Sequence, residues 1–242
     1  MKIFLSKIKR KLITKLFNTI EHKNKKISFS QSGEDLIVKF IFDYIGIHKP
    51  SYIDIGAHHP FFISNTAIFY KNGSRGINIE PDPFLFKEFS NYRKEDININ
   101  IGIGNCNGLL DFYIISSPTL NTFSKEEAER YSQEGNITIK SIVKIEIRTL
   151  SNVLNEFFNG NFPQFLSIDA EEMDEIIIKE IDFVNNFPIV ICIETISFSK
   201  SGNGKKNKIL IDYIINNGYI LYADTNINTI FVREEFWRKK IK

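Results

Sequence analysis

Ser51-Tyr52-Ile53-Asp54-Ile55-Gly56-Ala57-His58-His59 decides how this chain is read. Its first five residues make a short, largely apolar run of strand length, and Gly56 closes it. A glycine there turns the chain and lets a ligand approach the backbone. A helical stretch follows to about Tyr70. Gly76–Glu80 is a second apolar run, ended by Pro81, and a helical pattern carrying Phe84, Phe86 and Phe89 comes next. Ile97–Ile103 reads as a third strand. Leu109–Ile115 and Ile142–Ile147 read as additional strands around a polar segment at 116–136. A helix is expected from Thr149 to Phe158. Phe165–Asp169 and Ile189–Glu194 are further buried strands, with a helix around Met173–Ile181 between them. Lys205–Asn216 reads as a helix stopped by Gly218. Tyr219–Ala223 and Thr229–Arg233 are joined by so short a link that they must pair antiparallel. Strand–helix units closed by a hairpin predict an α/β fold, a mostly parallel sheet with one antiparallel strand.

Composition agrees with a globular domain: 242 residues, 43% hydrophobic and 25% charged. Two cysteines, Cys106 and Cys192, exclude a disulfide scaffold. The formal net charge of +2 hides a segregation. Residues 1–28 hold nine Lys/Arg and one Glu, and the last five residues add four positive charges, which leaves residues 29–237 at −10. The division is a leader, 1–28, before a domain, 29–242. In the leader Leu5, Ile8, Leu12, Leu16 and Phe17 fall on one helical stripe and most lysines off it. Lysines interrupt it too often for a secretory signal, and no run approaches the ~20 residues of a membrane span. Two readings stand: a helix packed on the domain, or an interfacial helix over residues 1–20 lying on an anionic inner membrane face. Either suits a cytoplasmic protein.

Ligands of open α/β sheets bind where strands end. Four ends carry polar groups: Asp54 to His59, Glu80, Gly102 to Asn105, and Asp169 to Glu171. Glu80 follows Gly56 by 24 residues, close to the ~20-residue offset at which an acid meets ribose hydroxyls. Neither Gly-x-Gly-x-x-Gly nor a P-loop is present. The pattern therefore allows a nucleoside held without a phosphate clamp, and S-adenosylmethionine fits. His58 or His59 could take a proton from a substrate hydroxyl, or simply bond backbone and solvent. Asp169 and Glu171, with Glu172, are the competing bases; their alternative role is capping a helix, and a divalent cation among them is not predicted.

Ser30-Gln31-Ser32-Gly33-Glu34-Asp35, Tyr52 to Pro60, Ser64-Asn65-Thr66, Arg75 to Pro83 and Leu166 to Glu171 resemble, in that order, the FkbM family of S-adenosylmethionine-dependent methyltransferases. The resemblance implies a Rossmann-like class I fold with a seven-strand sheet. By position it implies that Asp54, Gly56 and Ala57 lie under the methionine part of the cofactor and that Glu80 holds the ribose. Pro81 and Asp82 would flank the adenosine. Gly102 and Asn105, with Asp96, would line the adenine side, and Asp169 and Glu171 would face the transferring methyl. The family often has glycine where this chain has Glu172.

The expected function is O-methylation of a sugar hydroxyl in a glycan precursor, surface polysaccharide or glycosylated metabolite. The alternative is a non-catalytic binding or assembly protein that keeps the fold. A body at −10 disfavours nucleic acid as partner. Nothing in the sequence sets the oligomeric state.

Overall fold

The computed structural model describes residues 25–133, 137–170, 173–196 and 204–239. The expected helix over residues 1–20 lies outside them. Ten strands are present among the described residues: β1 (Tyr52–Ile55), β2 (Gly76–Ile79), β3 (Ile97–Ile99), β4 (Gly102–Ile103), β5 (Gly108–Ile115), β6 (Ile139–Arg148), β7 (Phe165–Ile168), β8 (Val190–Glu194), β9 (Tyr219–Asp224) and β10 (Asn228–Arg233). Seven form one sheet in the order β3-β2-β1-β7-β8-β10-β9. All pairings are parallel except those of β10, which runs antiparallel to β8 and β9. The hairpin expected at the C-terminus thus supplies the single reversed strand.

Strands buried on both faces need apolar residues at nearly every position, and β1, β2 and β7 are buried throughout. Their alternation sorts the core. Ile53, Ile55, Ile77, Ile79, Leu166 and Ile168 pack on one side with Leu150, Val153 and Leu154 of the helix Leu150–Phe158 and with Leu210 and Ile214 of the helix Lys208–Asn216. Tyr52, Phe165, Val190 and Cys192 pack on the other side with Val38, Ile41 and Phe42 of the helix Glu34–Ile45. Among the described residues no helix is long and apolar enough to cross a membrane.

Two expectations are corrected, and the two additional strands find their place. The helix after β1 shrinks to Ala67–Lys71. Residues 56–66 form a loop in which Pro60 disfavours helix at His59 and in which His58 and Ile63 take positive φ, 55° and 52°. The third strand splits in two, because Asn100 turns its amide onto the carbonyls of Glu80 and Pro81 (2.8 and 2.9 Å) and β4 leaves to pair with β6. The strands at 109–115 and 142–147 do not join the main sheet. They pair with each other, and with β4 make a separate sheet in the order β4-β6-β5, inserted between β3 and the helix Leu150–Phe158.

A buried ionic network ties β1 to the chain beyond β2. Arg93, fully buried, donates from Nε to Asp96 Oδ2 (2.9 Å), from Nη1 to Thr66 Oγ1 (2.9 Å) and from Nη2 to the Tyr52 hydroxyl (2.8 Å). Thr66 in turn donates to Asp54 Oδ2 (2.6 Å), and Asp96 also accepts from Gly76 N–H (3.0 Å). Removing one partner of such a network strands the others without water. Arg93→Leu leaves the buried carboxyls of Asp96 and Asp54 without their cation. It is expected to cost about 3–5 kcal/mol, measured as a lower urea midpoint at unchanged slope; a loss under about 1 kcal/mol would show that the network contributes no more than a surface pair.

Candidate active site

At the carboxyl ends of β1, β2 and β7, where strand order reverses direction about β1, a cleft opens. Its open space, counted out to the mouth and into solvent, is about 760 Å³. Ile55, Gly56, His58, Ile79, Glu80 and Asp169 form the wall on the main sheet. Phe112 and residues 118, 119 and 121–123 form the opposite wall, from the inserted sheet and its loop.

Gly56 is indispensable to this geometry. Its φ is +74°, and a Cβ added to it would stand 1.8 Å from the Asp169 carbonyl oxygen. The N–H groups of Gly56 and Ala57 both donate to Ile79 O (3.0 Å each), which fixes the turn to the end of β2. Gly102 meets a similar constraint, because its Cβ would lie 2.6 Å from the Phe123 ring.

Glu80 is buried just past β2, and each of its oxygens accepts a backbone N–H. His58 donates to Oε2 (2.7 Å) and Asp82 to Oε1 (2.7 Å). Each oxygen keeps one lone pair for a ligand. Burial, with Asp82 and Asp169 nearby, pushes the carboxyl up to about 8 against the pull of the two N–H groups. His58 also lines the cleft. Burial and the neighbouring His59 lower its proton affinity, leaving an imidazole able to accept a proton at neutral pH. Asp169 is exposed within the cleft yet walled by protein. Burial raises its proton affinity, a hydrogen bond with Glu194 opposes this, and Asp54 adds to it. Two hydrogen-bonded carboxyls must hold a proton between them. Register explains the pair, since Ile168 sits beside Ile193 in adjacent parallel strands and both strands then end in an acid.

The other expected residues fall behind the cleft or away from it. Asp54 does not line it: its carboxylate turns to the opposite face of β1, bonded by Thr66 and Ser167. Ala57 is buried and off the lining. Pro81 lines the cleft, whereas Asp82 caps the helix Pro83–Tyr92 through Phe84 N–H (2.8 Å) and accepts from Asn121 Nδ2 (2.8 Å). Asp96 belongs to the Arg93 network and does not line the cleft. Asn105 is exposed outside the cleft. His59 also lies off the lining; its Nδ1 accepts from Phe61 N–H (3.1 Å). Glu171 and Glu172 lie outside the described residues. Phe112, Asn121 and Phe123 are lining residues that the sequence did not single out, because they come from the stretch read as additional strands around a polar segment. Among the described residues no group of three or more His, Cys, Asp or Glu is placed to hold a metal.

The Glu80 carboxyl makes stability depend on pH. The folded chain keeps this proton up to about pH 8 and the unfolded chain releases it near 4.5. Between these values the unfolded state binds fewer protons, so this group lowers stability as pH rises through the window. Glu80→Gln is expected to gain on wild type by a few kcal/mol, roughly, from pH 5 to pH 8. Paired urea titrations at the two pH values measure this, and parallel curves would place the titration elsewhere.

No curated protein sequence matches the chain. Among solved structures it is similar to a TehB-like SAM-dependent methyltransferase from Corynebacterium glutamicum, at 10% identity over 92% of this chain and 97% of that one, TM-score 0.41. It is also similar to a protein described as a caffeoyl-CoA O-methyltransferase from Staphylococcus aureus, at 13% identity over 95% and 97%, TM-score 0.43. The methyltransferase FkbM domain matches residues 54–221, from Asp54 in β1 into β9, and so takes in the strand ends that wall the cleft. This chain belongs to the FkbM family of methyltransferases, and S-adenosylmethionine is the methyl donor that the family implies.

Proposed function

We propose that the methyl group is delivered to an oxygen, a sugar hydroxyl of a glycan precursor, surface polysaccharide or glycosylated metabolite. The observation that carries the cofactor half of this reading is that the cleft offers acids and, among the described residues, no cation. Glu80 and Asp169 line it, and no lysine or arginine does among the described residues. A nucleotide phosphate would find no cation there, whereas a nucleoside carrying a sulfonium in place of phosphate needs none.

The residues present fit that group. Glu80, with one free lone pair on each oxygen, would hold the two ribose hydroxyls; their donation favours the ionised carboxylate. Leu85, Ile101, Phe112 and Phe123 offer an apolar slot for the base. When bound, S-adenosylmethionine supplies an electrophilic methyl on sulfur. The protein supplies alignment and a proton acceptor. Asp169 lines the cleft, and the pair it makes with Glu194, holding one proton between two carboxyls, has room for a second from an acceptor hydroxyl. His58 is the second acceptor, neutral and on the same lining. The sugar rests on the family resemblance, with the acidic body arguing against polyanionic acceptors.

Calorimetry is expected to show S-adenosylmethionine binding, weakened about 10–100-fold in Glu80→Gln, the loss of hydrogen bonds to a charged group. Asp169→Asn is expected to leave binding near wild type and to slow product formation on glycan-containing extract about 10²–10⁴-fold. Cofactor binding without transfer to any glycan fraction would return the chain to the non-catalytic alternative.

The leader supports a location at an anionic membrane face. Deleting residues 1–26 is expected to abolish cosedimentation with phosphatidylserine vesicles while the body keeps its melting transition. Loss of the transition would instead assign the leader to the domain's packing.

A further inference from the structure

The inserted sheet faces the cleft without belonging to the seven-stranded scaffold, so something must hold its wall at a fixed distance from Glu80. One chain of hydrogen bonds does so. Glu80 Oε1 accepts from Asp82 N–H (2.7 Å), Asp82 Oδ2 accepts from Asn121 Nδ2 (2.8 Å), and Asn121 Oδ1 accepts from Ile115 N–H (2.8 Å). Asn121 thus spends both ends of its amide, one on the main body and one on β5. The wall it steadies is aromatic: Phe112 and Phe123 lie 4.7 Å apart between ring centroids. They line the cleft together with Leu85 and Ile101, and Phe123 also packs on the bare Gly102 backbone. An apolar slot with an aromatic side suits a planar base, and its width is set by where the loop Pro118–Phe123 is fastened.

We propose that the inserted sheet is the cover of a planar-base subsite and that Asn121 is its latch, a positioning residue acting through Asp82. The proposal rests on the methyltransferase reading, in which the base is the adenine of the cofactor. It makes the Asn121–Asp82 bridge, rather than the Asp82 carboxylate by itself, the determinant of base affinity. Asp82 meets the base side through Asn121 and, as the helix cap, through Leu85 N–H.

A polarity swap tests this. Asn121→Asp places two carboxylates against each other and is expected to weaken both S-adenosylmethionine and free adenosine about tenfold or more by calorimetry. Asp82→Asn combined with Asn121→Asp restores a donor and an acceptor in reversed order and keeps a good helix cap, because Asn caps as well as Asp. The double variant is expected to recover wild-type affinity for both ligands to within about threefold. Melting temperatures of all the variants are read alongside. If Asn121→Asp lowers the melting temperature and leaves both affinities unchanged, or if the swap restores melting without affinity, the latch is overturned while cofactor binding stands. If wild type binds neither S-adenosylmethionine nor adenosine, the cofactor reading falls and the latch with it.

Discussion

A carbonyl oxygen pressed against a bare α-carbon organises this protein. Asp169 O lies where a side chain of residue 56 would begin, and that contact lets β1 and β7 end at the same height with their turns interleaved. The rest follows from it. With Gly56 turned to φ +74°, the next two N–H groups point at Ile79 O and at Glu80, so the end of β2 is drawn into the same corner. Glu80 acquires two backbone donors and loses its water. The cleft is therefore a product of backbone geometry first and of side-chain chemistry second.

Much of this was legible. Short apolar runs ending in Gly56, Pro81 and Asp169 marked three strand ends correctly, because a buried parallel strand must be apolar almost throughout and any polar residue stands out against it. The brief link between β9 and β10 left no topology but a hairpin. Glu80 was visible by its offset from Gly56. The loop at 56–66 was not legible, since His58 and Ile63 take positive φ for tertiary reasons: a bond to Glu80 and a loop pinned by Ser64 N–H on Phe29 O. Local propensity carries no trace of such contacts.

The inserted sheet escaped for a related reason. Leu109–Ile115 and Ile142–Ile147 look like any other apolar strands, and periodicity cannot say which sheet a strand joins. Two residues decide it: Asn100, whose amide seals the end of β3, and Gly102, whose missing side chain admits Phe123. Asp54 shows what alternation along a strand decides. Its position beside Gly56 suggests a ligand contact, yet alternation along β1 sends its carboxylate to the Thr66–Arg93 side.

The hydrogen-bond ladder of the main sheet joins residues outside 102–148, so the inserted sheet can change its sequence without disturbing any rung of it. Scaffold and cover are thus mechanically separable. The two walls of one cleft answer to different constraints: one is confined by close-packed backbone, and the other by the Asn121 bridge and the packing of Phe123 on Gly102.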